Sequence, residues 1–546
     1  MLLKILTLLG ALALFLYGMS LTTSGLKKLV GNKIRNFLPM MRGGRLSQIL
    51  GGFSLTTTMQ SSKTTTIMVV SSVNAGLMSL SQAVGAIMGA NIGTTVTVWL
   101  ITLLGFTLGA GYVGFPLLAI GFVFMVSKKT IQKNLSELIL GVGFVMIGVM
   151  YMQSGVTALD SEGAFSSSLA ALSSHGFGST LIFFLIGLVA AAIMQSSSST
   201  ITFALILSAA CGQPFASAAA AVVGANVGTA VDTVLLAKEG NAQARRAALI
   251  HLLFNAIGAL LALLFFRPFI SLAAWMEPLF AICGVHSLFN IIAVALLTWF
   301  SAPILRLVTR LVRDDSSLQS RLKYISGSPL GTPAIAITEA MKEVQNFASV
   351  CHEGFAYVRQ AVNEKDPDRF TEEKDKLVEY EEVTDRMEIA IADFLGKITT
   401  TEISAEEADE IKVIYRIIGE LESLGDSGET IGRILERERV HGHVFSDDEI
   451  QKLGVMLDKV EAAYDAMEQN VALSLRGELG DIHNAYKAED EINETRTVYR
   501  SESLDAIGKE GGQYQSLNYF LDLIASLEAM GDFMINISQA LVRDED

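Results

Sequence analysis

Two short segments crowd hydroxyls and amides into stretches that are otherwise apolar. The first, 57-TTMQSSKTTTIMVV-70, holds Gln60, Ser61, Ser62, Lys63 and Thr64; the second, 194-MQSSSSTIT-202, holds Gln195, Ser196, Ser197 and Ser198. Such groups donate hydrogen bonds to an oxyanion, and their oxygens, together with backbone carbonyls, coordinate a hard cation such as sodium. Lys63 is the only charged residue between Arg45 and Lys128, and Asp232 is the only one between Glu162 and Lys238. A site so short of fixed cations can neutralise an anion by binding sodium beside it, which couples the two fluxes. Spacing alone does not name the anion.

The segments belong to an internal repeat. Gln60-Ser61-Ser62 recurs 135 positions later as Gln195-Ser196-Ser197, and 89-GANIGT-94 recurs at the same offset as 224-GANVGT-229. Asn91, Thr94, Asn226 and Thr229 therefore join the candidate ligands or their supports. Helix-packing glycines explain an isolated GxxxG, but not two composite motifs held at one spacing. A weaker third match relates 18-GMSLTTSG-25 to 148-GVMYMQSG-155. At the common offset Lys63 falls opposite Ser198, and Asp232 opposite Thr97. Lys63 has three readings: it snorkels to an interface, contacts the anion, or stands in for one sodium. Asp232 is either a cation ligand or the partner of Lys63. The pairs His251/Asn255 and His286/Asn290, one helical turn apart, read as packing hydrogen bonds.

These residues need elements that place them at membrane depth. A spanning helix takes about 20 apolar residues, and candidate spans lie near 3–25, 79–105, 112–127, 136–156, 216–236, 247–266 and 279–301. The opening segment reads as the first of these rather than as a leader peptide. Residues 46–75 and 178–210 are too polar at their centres to face lipid and read as re-entrant helical hairpins. The loop 26–45 holds six basic residues and 156–178 none, so the first is expected on the cytoplasmic side and the second outside. With the N-terminus outside, one hairpin enters from each face and the repeats are inverted, a common plan of secondary transporters.

The charge balance divides the chain. The first 314 residues carry 18 lysines and arginines against 7 acidic residues, and the remainder 23 against 49. So acidic a tail argues against nucleic acid and anionic lipid as its partners. From about residue 335 the pattern is amphipathic helix, with six expected near 335–363, 369–396, 404–439, 446–475, 478–506 and 513–542. Carboxylates one turn apart recur as Glu381/Asp385, Glu422/Asp426 and Glu528/Asp532, with Glu489/Asn493 in the fourth place. Such pairs repel unless a cation intervenes; each alone also fits a solvated face. His441 and His443 read as a loop between helices. The three cysteines show no ligand spacing and read as reduced. No GxxxxGK[ST] motif is present, which argues against direct nucleotide-driven pumping.

The paired QSS and GAN(I/V)GT motifs, with 251-HLLFN-255 and 286-HSLFN-290, resemble the type II sodium/phosphate cotransporter family, in the bacterial branch with a C-terminal PhoU-like domain. The resemblance implies an all-α protein with membrane repeats at 1–130 and 131–305, a linker at 306–334 and a cytoplasmic PhoU-like bundle at 335–546. It implies inorganic phosphate as substrate, co-transported sodium ions, no enzymatic activity, lipid as surroundings and a bacterial inner-membrane location. Gln60 to Ser62 and Gln195 to Ser198 would form the sites, and Glu381, Asp385, Glu422, Asp426, Glu528 and Asp532 would hold a divalent metal in the tail. A homodimer and a cytoplasmic regulatory partner are compatible with it. An exporter or uniporter with weak sodium coupling, and a membrane-anchored phosphate sensor, stay open as alternatives.

Overall fold

The computed structural model describes residues 2–30, 37–312, 321–325, 329, 332–400, 403–443, 445–507 and 514–542. It resolves into two units, Met1–Asp315 and Ser316–Asp546, and every element among the described residues is helical.

The first unit contains α1 (Leu2–Val30), α2 (Phe37–Arg42), α3 (Arg45–Met59), α4 (Ser62–Asn74), α5 (Leu80–Ile101), α6 (Ala110–Met125), α7 (Thr130–Leu159), α8 (Ala164–Leu172), α9 (Phe177–Met194), α10 (Ser197–Cys211), α11 (Phe215–Leu236), α12 (Ala242–Leu264), α13 (Phe266–Ser271), α14 (Pro278–Leu297) and α15 (Ser301–Leu311). Seven of these are long and apolar enough to cross a membrane, but they are not the seven expected. In place of the span expected at 112–127 stands α6, a helix of only 16 residues, because α5 runs on through a π-helical turn at Thr102–Thr107 and the chain breaks at Gly109 with φ +86°. In exchange α9, taken from sequence as one arm of a hairpin, is itself 18 residues long with a mean hydropathy of 2.4. Beyond Ser179 and Thr180 in its first turn it is apolar up to the break at Gln195.

Glycines decide which helices touch. A Cβ on Gly52 would meet the Ala86 carbonyl oxygen at 2.0 Å, one on Gly89 the Ile49 oxygen at 1.9 Å, and one on Gly93 the Thr56 side chain at 2.7 Å. Gln48 on Gly85, Phe53 on Gly89 and Thr56 on Gly93 rise together along both helices, so α3 and α5 run parallel and α4 between them returns the chain. The same approaches recur 135 residues later: Gly187 against the Ala221 oxygen at 2.1 Å, Gly224 against the Phe184 oxygen at 1.9 Å, and Gly228 against the Leu188 oxygen at 2.2 Å. Thus α9 and α11 are also parallel, with α10 returning. By contrast α1 and α7 are antiparallel, for Gly18 lies on Val145, Gly25 on Leu138 and Gly148 on Phe15, each at a would-be Cβ distance of 2.5–2.7 Å.

The second unit has the six expected helices, α16 (Pro333–Asn363), α17 (Pro367–Thr399), α18 (Ala405–Val440), α19 (Asp447–Arg476), α20 (His483–Ile507) and α21 (Tyr514–Leu541). Its core is built around buried Phe347, Phe355, Ile391, Leu421, Tyr464 and Phe520. Capping boxes start α18 (Ser404 with Glu407) and α19 (Ser446 with Glu449), each satisfying otherwise orphaned backbone donors. Of the expected linker, residues 313–320, 326–328 and 330–331 lie outside the described residues. Within its described residues, Lys323 to Ile325 direct three successive backbone N–H groups at the buried Glu343 carboxylate, at 2.6–3.1 Å.

Candidate functional site

Both polar breaks have the same local geometry. Gln60 and Gln195 each end a helix with φ +52°, and they are the only non-glycine residues in the left-handed region among the described residues. The next residue is extended in both cases, Ser61 at φ −152° and Ser196 at φ −155°. Each serine oxygen then accepts a hydrogen bond from a backbone N–H three residues on, Thr64 or Ser199, at 3.2 Å. Serine is among the best residues for this N-cap, so the motif has a structural cause. Each tip thereby turns between two helices in two residues and presents the N-terminal turn of α4 or α10, whose first N–H groups lack partners within the helix.

The two tips meet. Gln60 to Thr64 and Gln195 to Ser199 line one cavity of about 450 Å³, together with Thr229 of α11. Lys63 bridges the tips: its Nζ donates to Gln195 Oε1 at 2.6 Å and lies 2.6 Å from Asp232 Oδ2. Of the two sequence readings of Asp232, the ion partner of Lys63 is the one the geometry realises.

Asn91, Thr94 and Asn226 are not part of the lining. Asn91 Nδ2 is 3.4 Å from Asn255 Oδ1, and Asn226 Oδ1 is 3.3 Å from His286 Nε2. Asn255 and Asn290 donate to the carbonyls of His251 and His286, each at 2.9 Å. The HxxxN turns of α12 and α14 therefore hold the asparagines of the GAN motifs, as packing rather than as lining. Thr94 and Thr229 donate to carbonyls of their own helices, the usual resting arrangement of a hydroxyl in an apolar helix.

Sequence reasoning missed the wall opposite the tips. Ser20, Thr23, Ser24 and Lys27 of α1 line the cavity. Their spacing of three and four residues puts them on one helix face, a signal readable in 20-SLTTSGLK-27. By sequence Lys27 falls in the basic loop 26–45, but α1 continues to Val30 and carries it onto the cavity. Its neighbour Lys28 pairs with Glu137 at 2.6 Å, whereas Lys27 has no carboxylate partner among the described residues.

The acidic pairs of the second unit also meet across helices. Glu381 and Asp385 of α17 and Asp426 of α18 bring one oxygen each within 4.8 Å of the others. Burial and then these neighbouring carboxylates raise the Glu381 carboxyl above its usual range, and Glu422 likewise. Glu528 and Asp532 face Glu489, but there Arg496 binds Glu528 at 3.0 Å and Asn493 donates to Glu489. Among the described residues no basic side chain pairs with Glu381, Asp385 or Asp426, and that cluster suits a hard divalent cation; the second is already neutralised in part. His441 and His443 lie against the Tyr519 ring.

A family model described as Na+/Pi-cotransporter matches residues 14–154 and 159–294, both halves of the repeat. The chain belongs to that family. It is thus a member of a phosphate-transporter family, and with seven apolar helices of spanning length it is a multi-pass membrane protein. A Salmonella typhimurium protein named for inorganic phosphate export, YjbB, is 24% identical over 558 residues, covering 100% of this chain and 98% of its own length. The uncharacterized YqeW of Bacillus subtilis is 28% identical over 291 residues, covering 52% of this chain and 90% of its own length. The rat sodium-dependent phosphate transport protein 2A is 34% identical over 106 residues, 19% of this chain and 16% of its own length. No solved structure matches the chain.

Proposed function

We propose that the chain moves inorganic phosphate across the membrane by alternating access, coupled to sodium, and that it holds the anion between the two hairpin tips. One observation carries this reading: two helix N-termini, a ring of hydroxyls, two side-chain amides and Lys27, which has no carboxylate partner among the described residues, converge on one cavity. N-terminal N–H groups and a lysine suit a tetrahedral oxyanion. Gln60, Ser62, Gln195, Ser197 and Ser198 then divide between anion and sodium, with Ser61 and Ser196 fixing the tips, and Asn91, Thr94, Asn226 and Thr229 supporting them.

Inverted repeats are supported by the pairing of α1 with α7. The segments 18–25 and 148–155 correspond in sequence, yet the two helices pack antiparallel, as a twofold axis in the membrane plane requires. The parallel α3/α5 and α9/α11 pairs, with α4 and α10 returning between them, are what re-entrant hairpins predict. Alternating access would then rock the hairpin-bearing helices against the α1/α7 pair. In this reading the membrane is the bacterial inner membrane, the basic loops lie inside, and the second unit is a cytoplasmic PhoU-like regulator with Glu381, Asp385, Glu422 and Asp426 as a divalent-metal site and Glu528 and Asp532 as a weaker one.

A second reading, export with weak sodium coupling, is favoured by two observations. The full-length relatives are named for phosphate export, and a fixed ammonium lies within the tip cavity. Radiolabelled phosphate flux in proteoliposomes tests both, with sodium gradients of either sign and with the second unit present or deleted. Flux that follows the sodium gradient supports symport; flux indifferent to sodium supports the exporter; absence of flux in every condition refutes transport and leaves a sensor.

A further inference from the structure

The two repeats differ in charge at equivalent places, and the difference is concentrated in one contact. Lys63 stands where the second repeat has Ser198, and Asp232 where the first has Thr97. Each charge alone would be a burden at membrane depth; together they form the ion pair across the repeat boundary, Nζ to Oδ2 at 2.6 Å. The third member is Gln195 Oε1, again 2.6 Å from Nζ. Both partners of the ammonium thus come from the second repeat and neither from its own hairpin.

A carboxylate oxygen and an amide carbonyl oxygen converging on one point are the ligands a small hard cation takes. We propose that the Lys63 ammonium is a tethered cation: it occupies, between Asp232 and Gln195, a position that a transported sodium would fill if residue 63 were serine. The inference rests on the transport reading above. Its consequence is stoichiometric. A sodium in this position crosses with the anion and adds its gradient to the coupling, whereas a lysine neutralises the same carboxylate and stays behind. The chain therefore moves one sodium fewer per phosphate than its serine variant. The alternative, that the pair is only a strut between repeats, predicts loss of stability without any gain in sodium dependence.

The experiment measures phosphate and ²²Na⁺ flux in proteoliposomes over a range of sodium concentrations, with choline holding ionic strength constant. Lys63→Ser is expected to steepen the sodium dependence and to raise the sodium-to-phosphate ratio by one ion. Lys63→Arg, which keeps a cation there, is expected to show the parent ratio, and Lys63→Ser with Asp232→Asn to lose the gain. Sodium-induced thermal stabilisation of purified Lys63→Gln gives a second readout, expected to exceed that of the parent. If Lys63→Ser transports with the parent's ratio, or if Lys63→Ser fails to fold and Lys63→Gln gains no sodium response, the tethered-cation inference is overturned. Absence of flux in the parent overturns the transport reading instead, so the two failures are distinguishable.

Discussion

The ammonium of Lys63 lies 2.6 Å from a carboxylate oxygen of Asp232, so the charge at the first hairpin tip and the only charge of α11 cancel across the boundary between repeats. Neither repeat can bury its own charge without the other. Removing one partner should cost more than removing both, because a single deletion leaves an uncompensated charge. Lys63→Met is expected to destabilise by about 1–3 kcal/mol, reduced from the fully buried case because the pair is partly exposed. The double variant Lys63→Met/Asp232→Leu should recover much of that loss. Thermal unfolding in detergent without sodium checks the order; a double variant weaker than the single would refute it.

The helix contacts make a second prediction. Gly89 and Gly224 each face a backbone carbonyl oxygen at a would-be Cβ distance of 1.9 Å, and backbone cannot yield as a flexible side chain can. Alanine at either position should cost about 1–3 kcal/mol or abolish folding, and to a similar degree, since the positions are equivalent. Gly10, with nothing within 4 Å, supplies the control, for alanine there should leave the melting temperature unchanged or raise it. Size-exclusion profiles and melting temperatures of the three variants decide the matter.

Much of this packing was legible from the 135-residue offset, because a motif kept at constant spacing constrains both copies to one geometry. The starts of α18 and α19 were legible for a local reason: Ser404/Glu407 and Ser446/Glu449 close hydrogen bonds within four residues. What escaped was non-local. The pairing of Lys63 with Asp232 depends on how the repeats meet. Membership of the seven long apolar helices turned on a break at Gly109 that one glycine among 47 does not announce. Lys27 reads as loop because a run of basic residues marks the side of the membrane and not the end of the helix, which is Val30.

His352 makes a prediction about pH. It is half-buried, stacked on Tyr464, with Nε2 3.1 Å from Glu461 and Nδ1 3.6 Å from Glu468. The neighbouring Glu468 carboxylate, and then that of Glu461, raises its pKa, against the opposing effect of burial. A group raised in the fold adds stability that is complete below its unfolded value, about 6.5 for histidine, and is lost as pH rises through the folded value. The second unit should therefore lose stability as pH climbs above about 6.5, and His352→Gln should flatten that dependence. A variant with the parent's slope in thermal unfolding across that range would exclude the role.

The carboxylates of α17 and α18 predict a response to cations. Glu381 and Glu422 have raised pKa values, caused first by burial and then by neighbouring carboxylates. The fold therefore prefers them protonated, and that stabilisation disappears as pH rises through their folded values, leaving repulsion at neutral pH. Divalent cations should raise the melting temperature of the second unit at neutral pH. Glu381→Gln should raise it without cation and blunt the increment with manganese or magnesium. Equal increments in variant and parent would place the cation elsewhere.

The left-handed glutamines at 60 and 195 set stability and function in opposition at two positions. Glycine takes that backbone conformation without the steric penalty that glutamine bears, so a glycine at either tip would relax the turn. It would also remove the amide: at 195 the oxygen that receives the Lys63 ammonium, and at 60 a member of the cavity lining. A laboratory population of this gene selected only for resistance to heat would drift toward glycine at both tips and away from phosphate. Homologues from hot environments that keep both glutamines would mark an opposing selection for the amide itself.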